Sequence, residues 1–557
     1  MPAGTSVMTN TVKTDVLIVG AGPTGLSLAI ELGLRGVRAL VVERQPRTGT
    51  QPRAKTTNVR SMEHMRRWGI ASVLRAAAPL PSDYPTDIVF ATRLFGRQLA
   101  VIENAFAGAK IRDPRFSEPA QWVPQFTVEA VLRDRVAAMD SIELMFNAEL
   151  EDTEQSADGV VATVRNLTDG KPLTVLCKYL IGADGARSRV RSIIGVRMQG
   201  EHAYALNHSV ILRIPELQRT PPDRRAIMYW IINPAAPAVM GPMDGEGRWY
   251  FMVTLPPDVK DLDDATIRRR VCEAVGRNVD IEILTRDIWA AHRLIADRYR
   301  NGRVFLAGDA CHLHPPFGGY GMNLGIADAV DLGWKLAATI QGWGGPALLD
   351  SYEIERRAVH QRTIEEAVAN YRVLSAQLIK DSLDDDSEEG ERARADVGAE
   401  ILETKTREFM TLGVVLGSRY RESPIIVEDG SAPPQEHSAI YEPSAHPGCL
   451  APHAWLADGS SLYDHFGLGY TLLILDKTAA PNALAQAAER AGVPLTIVAL
   501  SEPGLRALYG ASLALIRPDQ YVAWRGSRVE DADAIVATLR GEDASAPAAI
   551  KKKEARA

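Results

Sequence analysis

The 557-residue chain is long enough for about three domains and a large apolar core. Its 63 basic and 70 acidic residues leave a net charge of −7, so no global positive field invites nucleic acid or an anionic membrane surface. The four cysteines (Cys177, Cys272, Cys311 and Cys449) lie far apart without CxxC or metal-ligand spacing, which argues against a disulfide framework and fits a reducing cytoplasm.

The N-terminal MPAGTSVMTNTVKTD lacks the apolar core of a secretion signal, and no run approaches the roughly 18 uninterrupted apolar residues of a membrane span. DVLIVG (Asp15–Gly20) reads as a buried parallel strand, LSLAIELGLRG as the helix after it, and RALVVE, ending at Glu43, as a second strand. Between about Thr86 and Phe116, and again from about Gly200 to Arg286, short alternating segments such as NHSVILRI, AIMYWII and RWYFMVTL predict antiparallel strands in a separate sheet. Helical patterns run from Met322 to about Ile379. The acidic stretch Asp384–Asp396 reads as an exposed helix or loop, and SAPPQEHSAIYEPSAHPG as a linker into a final α/β unit.

The first chemical signal is the turn Gly20-Ala21-Gly22-Pro23-Thr24-Gly25 between strand and helix. Glycines at these points let the backbone turn sharply and approach a pyrophosphate, which then sits on the positive helix N-terminus. Glu43 follows 18 residues beyond Gly25, where a carboxylate can accept hydrogen bonds from ribose hydroxyls. This combination predicts dinucleotide binding but does not separate FAD from NAD.

Two further segments carry a family resemblance. GADGARSRVR (Gly182–Arg191) is similar to the DG fingerprint of flavoprotein aromatic hydroxylases, and GRVFLAGDA (Gly302–Ala310) to their GD fingerprint. The latter continues into CHLHPPFGGYGMNLGIADAVDLGWKLA, which resembles the family's flavin-cradling loop and the helix after it. The final unit, from about Ser444, resembles the thioredoxin-like domain of the phenol hydroxylase branch, with Cys449 alone where redox thioredoxins need two thiols.

The resemblance implies an α/β fold. An FAD-binding Rossmann-like domain would comprise residues 12–85, 117–199 and 287–370, with an inserted β-rich substrate domain at 86–116 and 200–286. A helical connection and linker (371–443) and a redox-inactive thioredoxin-like domain (444–545) would follow. It also implies a monooxygenase cycle: NAD(P)H reduces FAD, O₂ adds at flavin C4a, and the hydroperoxide hydroxylates a small phenolic or aromatic substrate. Alternatives on the same scaffold are an epoxidase, a Baeyer–Villiger enzyme or a dehydrogenase acting on a polyketide-like substrate, or a non-catalytic interaction platform. Relatives use the C-terminal domain in subunit packing, so a homodimer is an expectation.

By the same resemblance, Asp184, Gly308 and Asp309 belong to the FAD site, with Asp309 delivered by an apolar strand to the ribityl hydroxyls. Pro315 stiffens the next turn. Gly318, Gly319 and Gly321 leave room for the isoalloxazine, and Met322 and Asn323 open a helix aimed at its pyrimidine edge. Arg44 and Arg53 resemble arginines near the FAD phosphates, and Gln125 a glutamine beside the ribityl chain. No metal is expected, because neither a carboxylate nor a cysteine completes a set with His312 and His314. Lys55 occupies the place where phenol-hydroxylating relatives carry a His or Asp that assists substrate deprotonation. A desolvated lysine can act there as a base, as a cation beside a phenolate, or as a bystander. Tyr229, Trp230 and Phe317 are candidate pocket residues, although core packing accounts equally well for Tyr229 and Trp230.

Overall fold

The computed structural model describes residues 10–46, 54–256, 258–371, 375–476, 478–479 and 481–542. Val16–Val19 lies in a six-stranded sheet, flanked in parallel by Ala39–Glu43 and Tyr179–Gly182. Ile142–Phe146 and Val304–Leu306 extend that parallel sheet on either side. These central strands are apolar at nearly every position because both faces are buried, in one core that takes in helix Pro23–Leu34 and residues of a four-stranded sheet, Ala148–Gln155, Val160–Asn166 and Pro172–Cys177 among its strands. Helix Pro23–Leu34 packs so closely on helix Gly321–Ile340 that a Cβ on Gly333 would meet Glu31 Cβ at 2.6 Å.

The second sheet has eight strands, centred on Met198–Arg213, Arg248–Thr254 and Ala238–Pro242. It is not purely antiparallel as the sequence predicts. Met228–Ile231 pairs in parallel with Ile88–Ala91, which arrives from a much earlier part of the chain. One face, carrying Tyr229, Ile231, Trp249 and Phe251, is buried against helix Asp264–Val275. The opposite face, carrying Trp230, Val239 and Tyr250, packs toward Phe317, Val359 and Phe409.

The acidic stretch left open as helix or loop leads into a helix, Glu388–Phe409. Ser387 Oγ caps it by accepting from Gly390 N at 3.1 Å, and Glu388, Glu389 and Glu391 complement the positive end of the dipole. The helix lies against the second sheet, where a Cβ on Gly398 would meet Leu99 O at 2.5 Å.

In the C-terminal unit, Tyr470–Ile474 and Leu495–Ala499 are parallel and joined through helix Asn482–Arg490. Antiparallel Leu513–Ile516 and Val522–Gly526 follow, then helix Ala532–Arg540. Cys449 is buried there, and burial pushes its thiol up to about 12, which suits packing rather than redox chemistry.

A buried ionic cluster joins this unit to the first. Arg517 donates to both oxygens of Glu355 (2.6 and 2.9 Å), to Asp331 (3.0 Å) and to Asp519 (2.7 Å). Lys335 completes it, 2.8 Å from Asp331 and 2.6 Å from Glu355. Burial pushes Glu355 upward, but Arg517 and Lys335 override it and hold the carboxyl at about 2. Burial raises Asp331 well above its ordinary range despite Lys335, which leaves the cluster near neutrality. Removing one partner from such a set strands the others without water. Arg517→Met should therefore destabilise the protein by about 3–5 kcal/mol. Calorimetry should show a lowered unfolding midpoint, and a midpoint equal to wild type would deny the cluster this role.

Candidate functional site

The glycine turn divides into two kinds of position. A Cβ on Gly20 would lie 2.3 Å from Ala183 O, and one on Gly25 would lie 1.9 Å from Gly20 O. Those two glycines close the turn onto itself and onto the neighbouring strand. Gly22 differs: a Cβ there meets nothing within 4 Å, so its backbone faces open space at the start of helix Pro23–Leu34. A helix N-terminus facing free volume fits a pyrophosphate. Glu43 stands beside it, accepting from Ala21 N at 3.0 Å and from Gln45 N at 2.9 Å.

The GD segment meets this turn directly. Cβ atoms on Gly308 and Gly325 would lie 2.6 and 2.3 Å from Thr24 Oγ1, so turn, GD segment and cradle helix converge on Thr24. Asp309, half-buried, sits in the single helical turn Gly308–Ala310 just past strand Val304–Leu306. Arg191 straps the two fingerprints together, donating to Ala310 O and Ala186 O at 2.9 Å each. Asp184 Oδ2 accepts from Arg189 N (2.7 Å) and Val190 N (3.1 Å), while its Oδ1 is buried without a partner among the described residues.

Asp328, given no role in the sequence reading, holds the GD turn from below. Its carboxylate accepts from Gly308 N (3.0 Å), His312 Nε2 (3.0 Å), Arg356 Nε (2.8 Å) and His360 Nε2 (2.8 Å). Burial alone would raise it, but His360 and Arg356 hold it well below the usual carboxylate range. The expectation that nothing completes a ligand set with His312 needs correction, since ligand atoms of Cys311, His312 and Asp328 lie within 4.8 Å of one another. Asp328 was missed because it comes from the next helix. Its oxygens already accept four N–H groups, and burial, with Asp328 beside it, raises the Cys311 thiol well above its ordinary value. The arrangement is that of a hydrogen-bonded hub.

In the cradle loop, Gly318 (φ +90°) and Gly319 (φ +67°) both adopt left-handed backbone. A Cβ on Gly318 would strike the Tyr320 ring at 2.3 Å, so this glycine answers to its own loop as well as to a ligand. Pro315 O accepts from His314 Nδ1 at 2.7 Å. Helix Gly321–Ile340 begins one residue ahead of the expected Met322 and Asn323. Asn323 ties the loop down: its Nδ2 donates to Thr56 O (2.9 Å) and Gly319 O (2.7 Å), and its Oδ1 accepts from Asn58 N (2.9 Å).

The segment it grips carries Lys55. Thr56–Thr57 pairs with Gln121–Trp122, and Val123 N and Gln125 N donate to Lys55 O and Ala54 O at 2.7 and 2.9 Å. Lys55 is thereby placed with its Nζ 4.2 Å from the Tyr250 ring centroid. Withdrawal from water lowers this amine to about 8, and it has no ion pair among the described residues. Gln125 heads helix Gln125–Ala137, its Nε2 donating to Glu129 at 2.8 Å. Arg44 is exposed at a bend after Glu43, and Arg53 lies outside the described residues.

Trp230 shares the Tyr250 face, with its ring centroid 6.1 Å from that of Phe317 in the cradle loop. Tyr229 does not. Adjacent strand residues point to opposite faces, and Tyr229 packs on Trp249 in the other core while donating to Arg224 O. Of the two candidates, Tyr229 is therefore turned away from the cradle into the core, as the packing alternative has it, and only Trp230 faces the cradle loop.

Open helix N-terminus, ribose-side acid, GD turn and glycine-rich cradle define a flavin-binding enzyme with a separate sheet facing the cradle. Comparison with known proteins specifies it further. The FAD binding domain family matches residues 13–367, and the C-terminal domain family of aromatic-ring hydroxylases matches residues 444–541. Aklavinone 12-hydroxylase of Streptomyces peucetius is 34% identical over 82% of this chain and 91% of its own. Phenol 2-monooxygenase of a Pseudomonas species is 31% identical over 93% and 90%. Among solved structures, the rebeccamycin biosynthetic enzyme RebC with bound 7-carboxy-K252c superposes with a TM-score of 0.89 at 36% identity, covering 96% of this chain and 100% of that one. The monooxygenase PieE, in complex with FAD and substrate, gives 0.88 at 30% identity, with 96% and 100% covered. The chain belongs to the FAD-dependent aromatic-ring hydroxylases.

The two classes of glycine give a test of the cofactor cradle. Gly22→Ala has room and ordinary backbone angles, so the apoprotein should keep its stability within about 0.5 kcal/mol. Its FAD dissociation constant should nevertheless rise, because the methyl group occupies the pyrophosphate approach. Gly25→Ala should unfold the apoprotein instead. Fluorescence titration with FAD beside apoprotein melting curves distinguishes them, and undiminished affinity in Gly22→Ala would remove this turn from the site.

Proposed function

We propose that the enzyme hydroxylates a phenolic ring bound between the Tyr250–Trp230 face and the cradle loop at Phe317, with NAD(P)H as reductant and Lys55 as the base. FAD, when bound and reduced, supplies electrophilic oxygen derived from O₂. The chain's own contribution is to hold the ring, exclude water and manage the phenolic proton. The observation that carries this reading is the Lys55 amine, at about 8, over a buried ring on the face that Phe317 closes.

A phenol titrates near 10, and its anion is far the better nucleophile toward electrophilic oxygen. The lysine is charged below about 8 and neutral above it, so its capacity to accept the phenolic proton grows as pH rises through that value. The four cysteines, all free thiols, support a reducing, cytoplasmic setting, where NAD(P)H and O₂ are both at hand.

Lys55→Met should still bind FAD and be reduced, yet lose roughly 10²–10⁴-fold in hydroxylation and release hydrogen peroxide. Wild-type coupling should rise through pH 8, and the variant should lose that inflection. Equal coupling in both enzymes from pH 6 to 9, scored by product formed per NAD(P)H oxidised, would make Lys55 a bystander.

A further inference from the structure

Two lysines, Lys55 half-buried and Lys405 buried, reach the second sheet's cradle-facing side from different parts of the chain. Lys55 lies over Tyr250. Lys405, on helix Glu388–Phe409, lies with its Nζ 4.1 Å from the Trp230 ring centroid and 5.7 Å from that of Phe317. It belongs to the helix's buried stripe with Val397, Ile401 and Phe409, where an apolar residue is the ordinary occupant. Its charge is met by Glu408, one turn on, and it donates to Asn370 O at 3.2 Å.

The surroundings are apolar rings interrupted by unmet hydrogen bonds. The rings of Trp230 and Phe317 lie against the amine, and Phe317 packs in turn on Tyr371 at 5.2 Å. Asn370 is only 2% exposed, and neither its Oδ1 nor its Nδ2 has a partner among the described residues. A buried amide lacking both hydrogen bonds is costly in a folded protein and calls for an occupant that supplies them. The Tyr320 hydroxyl, in the cradle loop, is buried and also without a partner among the described residues.

This group lies well away from Lys55. Val239 faces Trp230 and Gly241 faces Tyr250, which puts the two rings two strands apart and two residues out of step. With strand spacings of about 4.8 Å and a rise of about 3.3 Å per residue, the backbone positions are roughly 12 Å apart. One phenolic ring over Tyr250 does not reach Asn370.

We propose that Asn370, backed by the Lys405–Glu408 pair, is a second polar subsite that binds a hydroxyl or carbonyl group at the far edge of an extended, fused-ring aromatic substrate. The inference rests on reading the Lys55 face as the substrate pocket. Because Glu408 already neutralises Lys405, the subsite takes a neutral hydrogen-bonding group rather than a carboxylate, and the Asn370 amide offers both a donor and an acceptor.

Two probes differing only at the far edge test it: 2-hydroxyanthraquinone and 2,6-dihydroxyanthraquinone, titrated calorimetrically into the oxidised holoenzyme. The dihydroxy compound should bind wild type about tenfold more tightly. In Asn370→Leu the ratio of the two dissociation constants should fall to near one. The double variant Lys405→Met/Glu408→Gln removes the pair without stranding a charge, should shrink the ratio likewise, and decides the matter if Asn370→Leu does not fold. The proposal is overturned if the ratio persists in a variant that retains FAD and its thermal midpoint, if wild type binds both probes equally, or if it binds neither. These ratios involve no turnover, so failure of Lys55 as a base, seen in coupling and pH dependence, leaves them unmoved.

Discussion

The Asp328 carboxylate is the constraint on which the flavin side of the molecule depends. A buried anion is tolerable only when its lone pairs are met, and here four N–H donors meet them. Each donor comes from a different functional position: the GD turn (Gly308), the strand that leaves it (His312), and two turns of helix Pro346–Tyr371 (Arg356 and His360). Burial lowers His360 to about 3, so it is neutral; its Nε2 proton goes to Asp328 and its Nδ1 accepts the Tyr299 hydroxyl at 2.8 Å. Tyr352, on the same helix, donates to Leu306 O at 2.8 Å. The turn that carries Asp309 is thus fixed from behind by this buried hydrogen-bond network.

The same logic extends outward. Asp328 and Asp331 are both buried on helix Gly321–Ile340, and Arg356 and Glu355 are adjacent on the helix that follows it. One pair of contacts holds the GD turn; the other reaches Arg517 in the C-terminal unit. The C-terminal unit is therefore locked to helices Gly321–Ile340 and Pro346–Tyr371, which also brace the GD turn.

What was legible in the sequence were features with short-range causes. Parallel strands buried on both faces read as continuous apolar runs, and the glycine turn carries its own spacing, so Val16–Val19, Ala39–Glu43 and Gly20–Gly25 were all evident. Features with long-range causes were not. Asp328 looks like an ordinary helix residue until the fold brings His312 and Arg356 to it, although a carboxylate amid GIADAVDLGW was a signal. The alternation around Tyr229 and Trp230 marks a strand without saying which face meets the cradle; that depends on helix Asp264–Val275 covering the other side. The parallel pairing of Ile88–Ala91 with Met228–Ile231 joins segments remote in the chain, and periodicity alone cannot register it. Lys405 lies in the segment read only as a helical connection and linker, and only its place in the buried stripe sets it apart.

Three buried or half-buried lysines show how the molecule sets proton affinity by choice of neighbour. Lys335 lies between two carboxylates and serves as an internal counter-ion. Lys405 has one carboxylate, and burial lowers its affinity for the proton while Glu408 opposes the change. Lys55 has an aromatic face and no carboxylate among the described residues. The ring's negative face can return on the order of 1–2 kcal/mol to the ammonium, less than a desolvated ion pair would. The outcome is an amine at about 8, far enough down to release its proton near neutrality and not so far that it is always neutral. A carboxylate in place of Tyr250 would hold the charge on the amine, and an open, hydrated setting would return it toward the ordinary lysine value. Placing the amine over a ring, withdrawn from water and away from any carboxylate among the described residues, is what leaves its proton affinity lowered.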